Sequence, residues 1–204
     1  MTVRRSATGA RSSSVSADEG RRAGRTFFDR PGDRLARELL GATLTVVSRD
    51  RTRSVRIVET EAYLRNDPAS HAFRGPTRRN RSMFGPPGTL YIYRIHQVVC
   101  ANLVARRGEA ALLRAGASRR SAPTVASGPG RLCRFLGLTL GDDGIDTVTS
   151  RRVIVRLAPP LAQKVHVGPR VGIRKAAERR LRYALAGEPA VSRPRPRDPR
   201  ASNP

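Results

Sequence analysis

Tryptophan is absent, lysine is limited to Lys164 and Lys175, cysteine to Cys100 and Cys133, and acid is scarce, with 16 Asp and Glu against 40 Lys and Arg in 204 residues. Each shortage excludes something. Two cysteines cannot make a disulfide scaffold, and a reducing cytoplasm is the simple reading. No run approaches the roughly 18 apolar residues of a membrane span. The N-terminus has charges and serines but no apolar stretch, so it is not read as a secretory signal. The glycine-rich pieces Gly85-Pro86-Pro87-Gly88 and Ser127-Gly128-Pro129-Gly130 lack the Gly-Lys-Ser/Thr ending of a phosphate loop. His96 and Cys100 are four apart, with Cys133 and His166 downstream, but no paired ligand spacing accompanies them. Neither a metal nor a cofactor is expected.

What is present is positive charge. The formal balance is +24. Residues 1–25 carry +4 and residues 189–204 carry +3, which leaves +17 on the middle of the chain. A folded core with that balance repels itself, and nucleic acid is the leading partner. Arginine pairs such as Arg78-Arg79 and Arg119-Arg120 suit backbone phosphate.

At this length one core is the default. Residues 1–25 have almost nothing to bury and read as a disordered basic arm, while residues 193–204 read as an extended basic Pro/Arg tail. Between them, Asp33 to Leu40 forms an amphipathic pattern capped by Asp33 and ended by Gly41. Strands are expected at Thr43–Ser48, Ser54–Ala62, Leu90–Tyr93, Val98–Val104 and Ala110–Ala115, then at Val153–Leu157, Val165–Val167 and Leu181–Leu185. Asp67-Pro68 resembles a cap and first-turn proline of a short helix carrying His71. A second helix is expected over Arg131–Leu136, and residues 137–150 read as loop. Interspersed strands and short helices without βαβ spacing point to an α+β fold: one domain, residues 26–192, with a curved, mostly antiparallel sheet and short peripheral helices.

The informative stretch is Val58 to Asn102. Strand alternation puts Glu59 and Glu61 on one face. Five of the nine Phe and Tyr residues lie between 63 and 96, together with His71 and His96. An enzyme acting on a base must lift it from the stack and hold it between flat side chains, and Tyr63, His71 and Tyr93 have that chemistry. Stacking is worth about 1–3 kcal/mol per base, so two or three rings offset a few kcal/mol of unstacking. Either Glu59 or Glu61 has the chemistry to deprotonate a water and to stabilise positive charge on a sugar during C–N cleavage. The alternative is a non-catalytic basic nucleic-acid-binding protein, which leaves both carboxylates and the ring cluster without a purpose.

Val58-Glu59-Thr60-Glu61-Ala62-Tyr63, Asp67-Pro68-Ala69-Ser70-His71-Ala72, Thr77 to Phe84 and Pro87-Gly88-Thr89-Leu90-Tyr91-Ile92-Tyr93 together resemble the alkyladenine (3-methyladenine) DNA glycosylases. Cys100 to Val104, Ala111 to Ala115, Gly128 to Cys133 and Arg170-Val171-Gly172-Ile173 follow in the family's order. The resemblance implies a monomeric, monofunctional glycosylase that works without a cofactor on double-stranded DNA containing damaged purines. In a prokaryote it would work at the nucleoid. Alkylated and deaminated purines are the implied substrates: 3-methyladenine, 7-methylguanine, hypoxanthine and ethenoadenine. It implies Glu61 as general base, Arg114 positioning the water and the carboxylate, Tyr63, His71 and Tyr93 around the flipped base, and Asn102 rejecting guanine's 2-amino group. One departure stands out. Where the family carries a Tyr-Gly pair that fills the gap left by the flipped nucleotide, this chain reads Arg94-Ile95-His96-Gln97, one residue short. His96 is the positional substitute for the wedge and Ile95 the second choice. A relative that binds lesions without cutting is the other reading this departure raises.

Overall fold

The computed structural model describes residues 20–194. Among them, strands β1 (Thr43–Val47), β2 (Thr52–Tyr63), β3 (Leu90–Ile95), β4 (Val98–Val104), β5 (Ala110–Ala117), β6 (Val153–Arg156), β7 (Val165–Gly168) and β8 (Arg182–Leu185) form one sheet. Its order is β3-β4-β5-β2-β1-β6, with β8 also on β2 and β7 on β8. Every pairing of these strands is antiparallel. Three short helices, α1 (Arg25–Phe28), α2 (Gly32–Glu38) and α3 (Pro129–Leu136), lie around it. The α+β architecture expected from the patterning is the one observed.

β2 is the organising strand. β5 follows one of its edges from Arg56 to Tyr63, while its other edge is shared by β1 over Thr52–Arg56 and by β8 over Glu59–Glu61. The register against β5 slips on either side of Glu59. Such irregularities bend a strand and increase its twist, which curls the sheet at this point. Main-chain pairing on both edges leaves Val58 to Ala62 buried without a break.

Apolar packing divides in two. The larger cluster gathers Leu35 and Leu39 from α2 and its end, Ile57, Leu103 and Leu113 from the sheet, and Leu132 and Leu136 from α3. Each such side chain contributes about 1.5–3 kcal/mol on burial. The smaller cluster, Ala72, Met83, Tyr91, Val104 and Ala110 with Tyr63, Phe84 and Tyr93 against it, underlies the site. α3 starts after Gly128 with Pro129 in its first turn and stops at Gly137, whose φ of 74° is the left-handed conformation glycine tolerates best. At Gly88 (φ 89°) a Cβ would meet the Phe28 ring at 2.7 Å, so the turn into β3 needs glycine for two reasons.

Three local expectations are corrected. Asp33 does not cap α2: the helix begins at Gly32, whose N–H donates to Glu109 Oε2 at 2.7 Å, and Asp33 sits inside the first turn. No helix forms at Asp67-Pro68; His71 rides on consecutive turns instead. The reason is that polar side chains take the backbone there: Asp67 Oδ1 accepts from Ala69 N, Ser70 Oγ from Ala72 N, and Asn80 donates to the His71 and Gly75 carbonyls. Finally, the described end of the expected disordered arm is anchored. Arg22 pairs with Arg156, Ala23 is buried, and Arg25 forms an ion pair with Asp146 at 2.7 Å, so order begins before residue 26. The rest of that arm, and the tail from residue 195, lie outside the described residues.

Candidate active site

A pocket of about 440 Å³ opens over the smaller core, walled by Tyr63, His71, Tyr91, Tyr93, Asn102 and Arg114. Alternation along β3 explains the aromatic wall. Tyr91, Tyr93 and Ile95 share one face, and Leu90 and Ile92 belong to the main core on the other. β4 places Asn102 opposite Tyr91, and the Asn102 amide donates to the Tyr91 carbonyl at 3.0 Å. Val171, Gly172 and Ile173, from the segment before β8, complete the lining.

Two rings already touch. His71 meets Tyr93 edge-on at 4.5 Å between centroids, and His71 Nδ1 hydrogen bonds the Tyr91 hydroxyl at 2.8 Å. Desolvation by these neighbours lowers the His71 pKa from its ordinary value, favouring neutral imidazole. Tyr63 makes no ring contact with either among the described residues. Its hydroxyl donates to Glu61 Oε2 at 3.0 Å, and the Arg170 guanidinium sits 4.7 Å from its ring centroid, covering one face. Burial raises the pKa of all three pocket tyrosines, so they remain phenols.

Behind this wall lie Glu59 and Glu61, both 0% exposed. As the alternation predicts, they reach one group: Arg114 bonds Glu59 Oε1 through Nε at 3.0 Å and pairs with Glu61 Oε1 through Nη1 at 3.2 Å. Glu59 also accepts from Arg182 Nε at 2.7 Å, Ser192 N at 2.7 Å and Ser192 Oγ at 3.0 Å. Glu61 accepts from Val171 N at 2.8 Å and from Tyr63. Glu61 does not itself line the pocket; Tyr63, Arg114 and Val171, which all contact it, do. Cationic surroundings alone would hold Glu61 ionised. Instead, burial raises its pKa, outweighing Arg114, the Val171 N–H and the Tyr63 hydroxyl, and Glu59 adds to the rise. Burial also opposes the charge of Arg114, but Glu61 and Glu59 together raise its pKa and keep it cationic.

The β3–β4 hairpin closes at His96 and Gln97, at the pocket mouth. His96 is exposed and has φ 50°, as two-residue hairpin turns of the tight primed kinds require. Ile95, 51% exposed, pairs across the hairpin with Val98, also exposed, so an apolar tip flanks the imidazole.

The structure thus gathers the residues that the resemblance assigned to the site. Tyr63, His71, Tyr93, His96, Asn102 and Arg114 line the pocket, and Glu61 lies directly behind it. Sequence reasoning gave no role to Arg170, Arg182 or Ser192, and read Asp67 only as a helix cap. Arg170 and Asp67 form a fully buried ion pair, with Arg170 also donating to the Ala62 carbonyl at 2.9 Å, tying the His71 loop to β2 and the Val171 segment. The only sequence signal for it was the Arg170-Val171-Gly172-Ile173 motif. Both thiols are free and buried; burial raises Cys100 and pushes Cys133 up to about 12, so neither is a reactive thiolate. Among the described residues no group of His, Cys, Asp and Glu is arranged to hold a metal, and no helix is long and apolar enough to cross a membrane.

A curled antiparallel sheet with a buried carboxylate behind an aromatic pocket frames the site. Residues 26–189 match the methylpurine-DNA glycosylase family, and the chain belongs to it. It is therefore an enzyme of the glycosylase type, which hydrolyses N-glycosyl bonds. A Rhizobium johnstonii protein is 40% identical over 183 residues, covering 83% of this chain and 89% of the relative. A Nitrosospira multiformis protein is 44% identical, covering 78% and 88%, and one from Mycobacterium sp. (strain KMS) is 45% identical, covering 83% and 91%. All three carry the name "Putative 3-methyladenine DNA glycosylase".

Proposed function

We propose that the chain excises alkylated and deaminated purines from double-stranded DNA, flipping the damaged nucleotide into the aromatic pocket and cleaving the N-glycosidic bond with a water activated by Glu61. The observation that carries this reading is the Glu61–Tyr63–Arg114 unit: a carboxylate shut from bulk solvent yet joined by hydrogen bond and ion pair to two pocket walls. The free face of Tyr63 and the contacting pair His71 and Tyr93 would hold the purine between them. Asn102, fixed to the Tyr91 carbonyl, would meet the 2-amino group of guanine without room for it.

Water is the nucleophile in this reading because no side-chain amine is available: neither Lys164 nor Lys175 lines the pocket. Arg114, pinned by Glu59, would orient that water beside Glu61. His96, with Ile95 and Val98 beside it, would fill the gap left by the flipped nucleotide. Alkylation at N3 or N7 makes the purine a cationic leaving group, whereas hypoxanthine needs a proton on departure. Lesions that pair poorly cost less to flip, which adds selectivity before the pocket reads the base.

The test is single-turnover excision from duplexes bearing one hypoxanthine, ethenoadenine or 7-methylguanine, with alkali cleavage of the abasic product as readout. Wild type should release at least one of these bases, and Glu61→Gln should be slower by about 10²–10⁴-fold. Wild-type protein that binds lesion duplexes and releases none would overturn the catalytic reading in favour of lesion binding alone.

A further inference from the structure

Apart from the aromatic pocket, a groove of about 550 Å³ runs between α3, the 3-10 turn Pro123–Ala126 and the start of β2. Arg53, Arg131 and Arg134 line it, with Ser121, Thr124 and Phe135 between them. Arg53 is fixed in place: it donates to the Phe135 carbonyl and stacks 5.2 Å from that ring's centroid. Arg131 and Arg134 are exposed one helical turn apart on α3. No carboxylate lines the groove, and none of the three arginines has an ion-pair partner among the described residues.

Three unneutralised guanidiniums converging with two hydroxyls on one concave surface repel one another until an anion enters. Planar guanidinium forks and hydroxyl donors match phosphodiester oxygens. α3 fixes the distance to the reaction site. Pro129 at its start lines the aromatic pocket, and Arg131, Arg134 and Phe135 line the groove. Arg131 and Arg134 lie two and five residue steps from Pro129, about 3 and 7.5 Å at 1.5 Å rise, or roughly one to two nucleotides at 3.4 Å of axis per strand.

We propose that this groove is a second, sequence-independent DNA site that grips the sugar–phosphate backbone one to two nucleotides from the flipped purine. It rests on the reading of the aromatic pocket as the base pocket. It makes the orientation of the duplex a property of α3, with the base-reading wall at one end of the helix and the phosphate grip along its length.

The test is binding of an undamaged duplex followed by fluorescence anisotropy between 50 and 200 mM salt, for wild type, Arg131→Ala/Arg134→Ala and Arg34→Ala. Arg34 is the control because Glu38 already balances it at 2.7 Å. The double variant should bind on the order of tenfold more weakly at the lowest salt, and its slope of log affinity against log salt should shrink by about two. Arg34→Ala should match wild type. An unchanged slope in the double variant, or an equal loss in Arg34→Ala, would overturn the groove assignment. Excision by wild type on lesion duplexes separates the two readings. If it fails while the double variant loses slope, the groove stands and the catalytic reading falls; if it succeeds while the slope stays, the groove falls alone.

Discussion

Glu59 and Glu61 are two residues apart on one strand, equally buried and bonded to the same arginine, yet their surroundings differ in kind. Glu59 takes four donors, two guanidiniums, a backbone N–H and a hydroxyl, and Ser192 and Arg182 hold the segment after β8 over it. Glu61 shares only Arg114, one amide and the phenol of a pocket residue. Held by four donors, two of them cationic, Glu59 is placed as a structural post. On the proposed reading Glu61, whose Oε2 is bonded to a pocket tyrosine, is the acid that exchanges a proton with a guest. On that reading partners, and not burial, separate an architectural acid from a reactive one.

Exchanging each carboxylate for its amide should pull the two roles apart. Glu61→Gln removes about 10²–10⁴-fold of single-turnover excision and leaves the fold intact, because Glu59 still holds Arg114. Glu59→Gln acts mainly on the fold. It leaves Arg114 and Arg182 buried with one counter-charge fewer, an expected loss of about 3–5 kcal/mol in urea denaturation. Equal stability losses in the two variants would erase the distinction.

Arg170→Met breaks the other buried pair and strands Asp67. About 3 kcal/mol or more of stability should go, with loosening of the His71 loop seen as faster amide exchange at Ala69 and Ala72.

pH sharpens the contrast further. The Glu61 pKa is raised by burial, so the carboxylate that the proposed reaction uses is lost as pH falls through a value above the ordinary 4.3 or so. The stability sign is the reverse. With the folded pKa above the unfolded one, the contribution of Glu61 is full below the unfolded pKa and declines as pH rises through the folded pKa. Wild type should therefore lose stability relative to Glu61→Gln between those two values, read as diverging denaturation midpoints.

The smallest effect is expected at the hairpin tip. Ile95→Ala and His96→Ala should each slow excision by about tenfold or less, and more for well-paired lesions than for mismatched ones, since the tip would act on flipping alone. A loss independent of the opposite base would move the wedge elsewhere.

Much of this was legible in the residues. Alternation placed the strands within a few positions of their observed ends and put both carboxylates on one face; Val98–Val104 was read to the residue. Clustered aromatics marked the pocket. The helix expected at Asp67 stops at turns because Ser70 and Asn80 take backbone groups there, while Asp67, which still accepts from Ala69 N, is anchored by Arg170, 103 positions away, a partner to which a local rule has no access.

By itself the chain determined its positive charge, its alternating strands, the short-range turns and the concentration of rings and acids between residues 58 and 102. These follow from composition and from neighbours a few residues apart. Only the tertiary structure decided which acid takes the fuller set of donors. The donors that distinguish Glu59 from Glu61 come from Val171, Arg182 and Ser192, between 110 and 133 positions downstream. Curling the sheet brings them in from β8 and the segments on either side of it, so the difference between the two acids is set where distant segments meet.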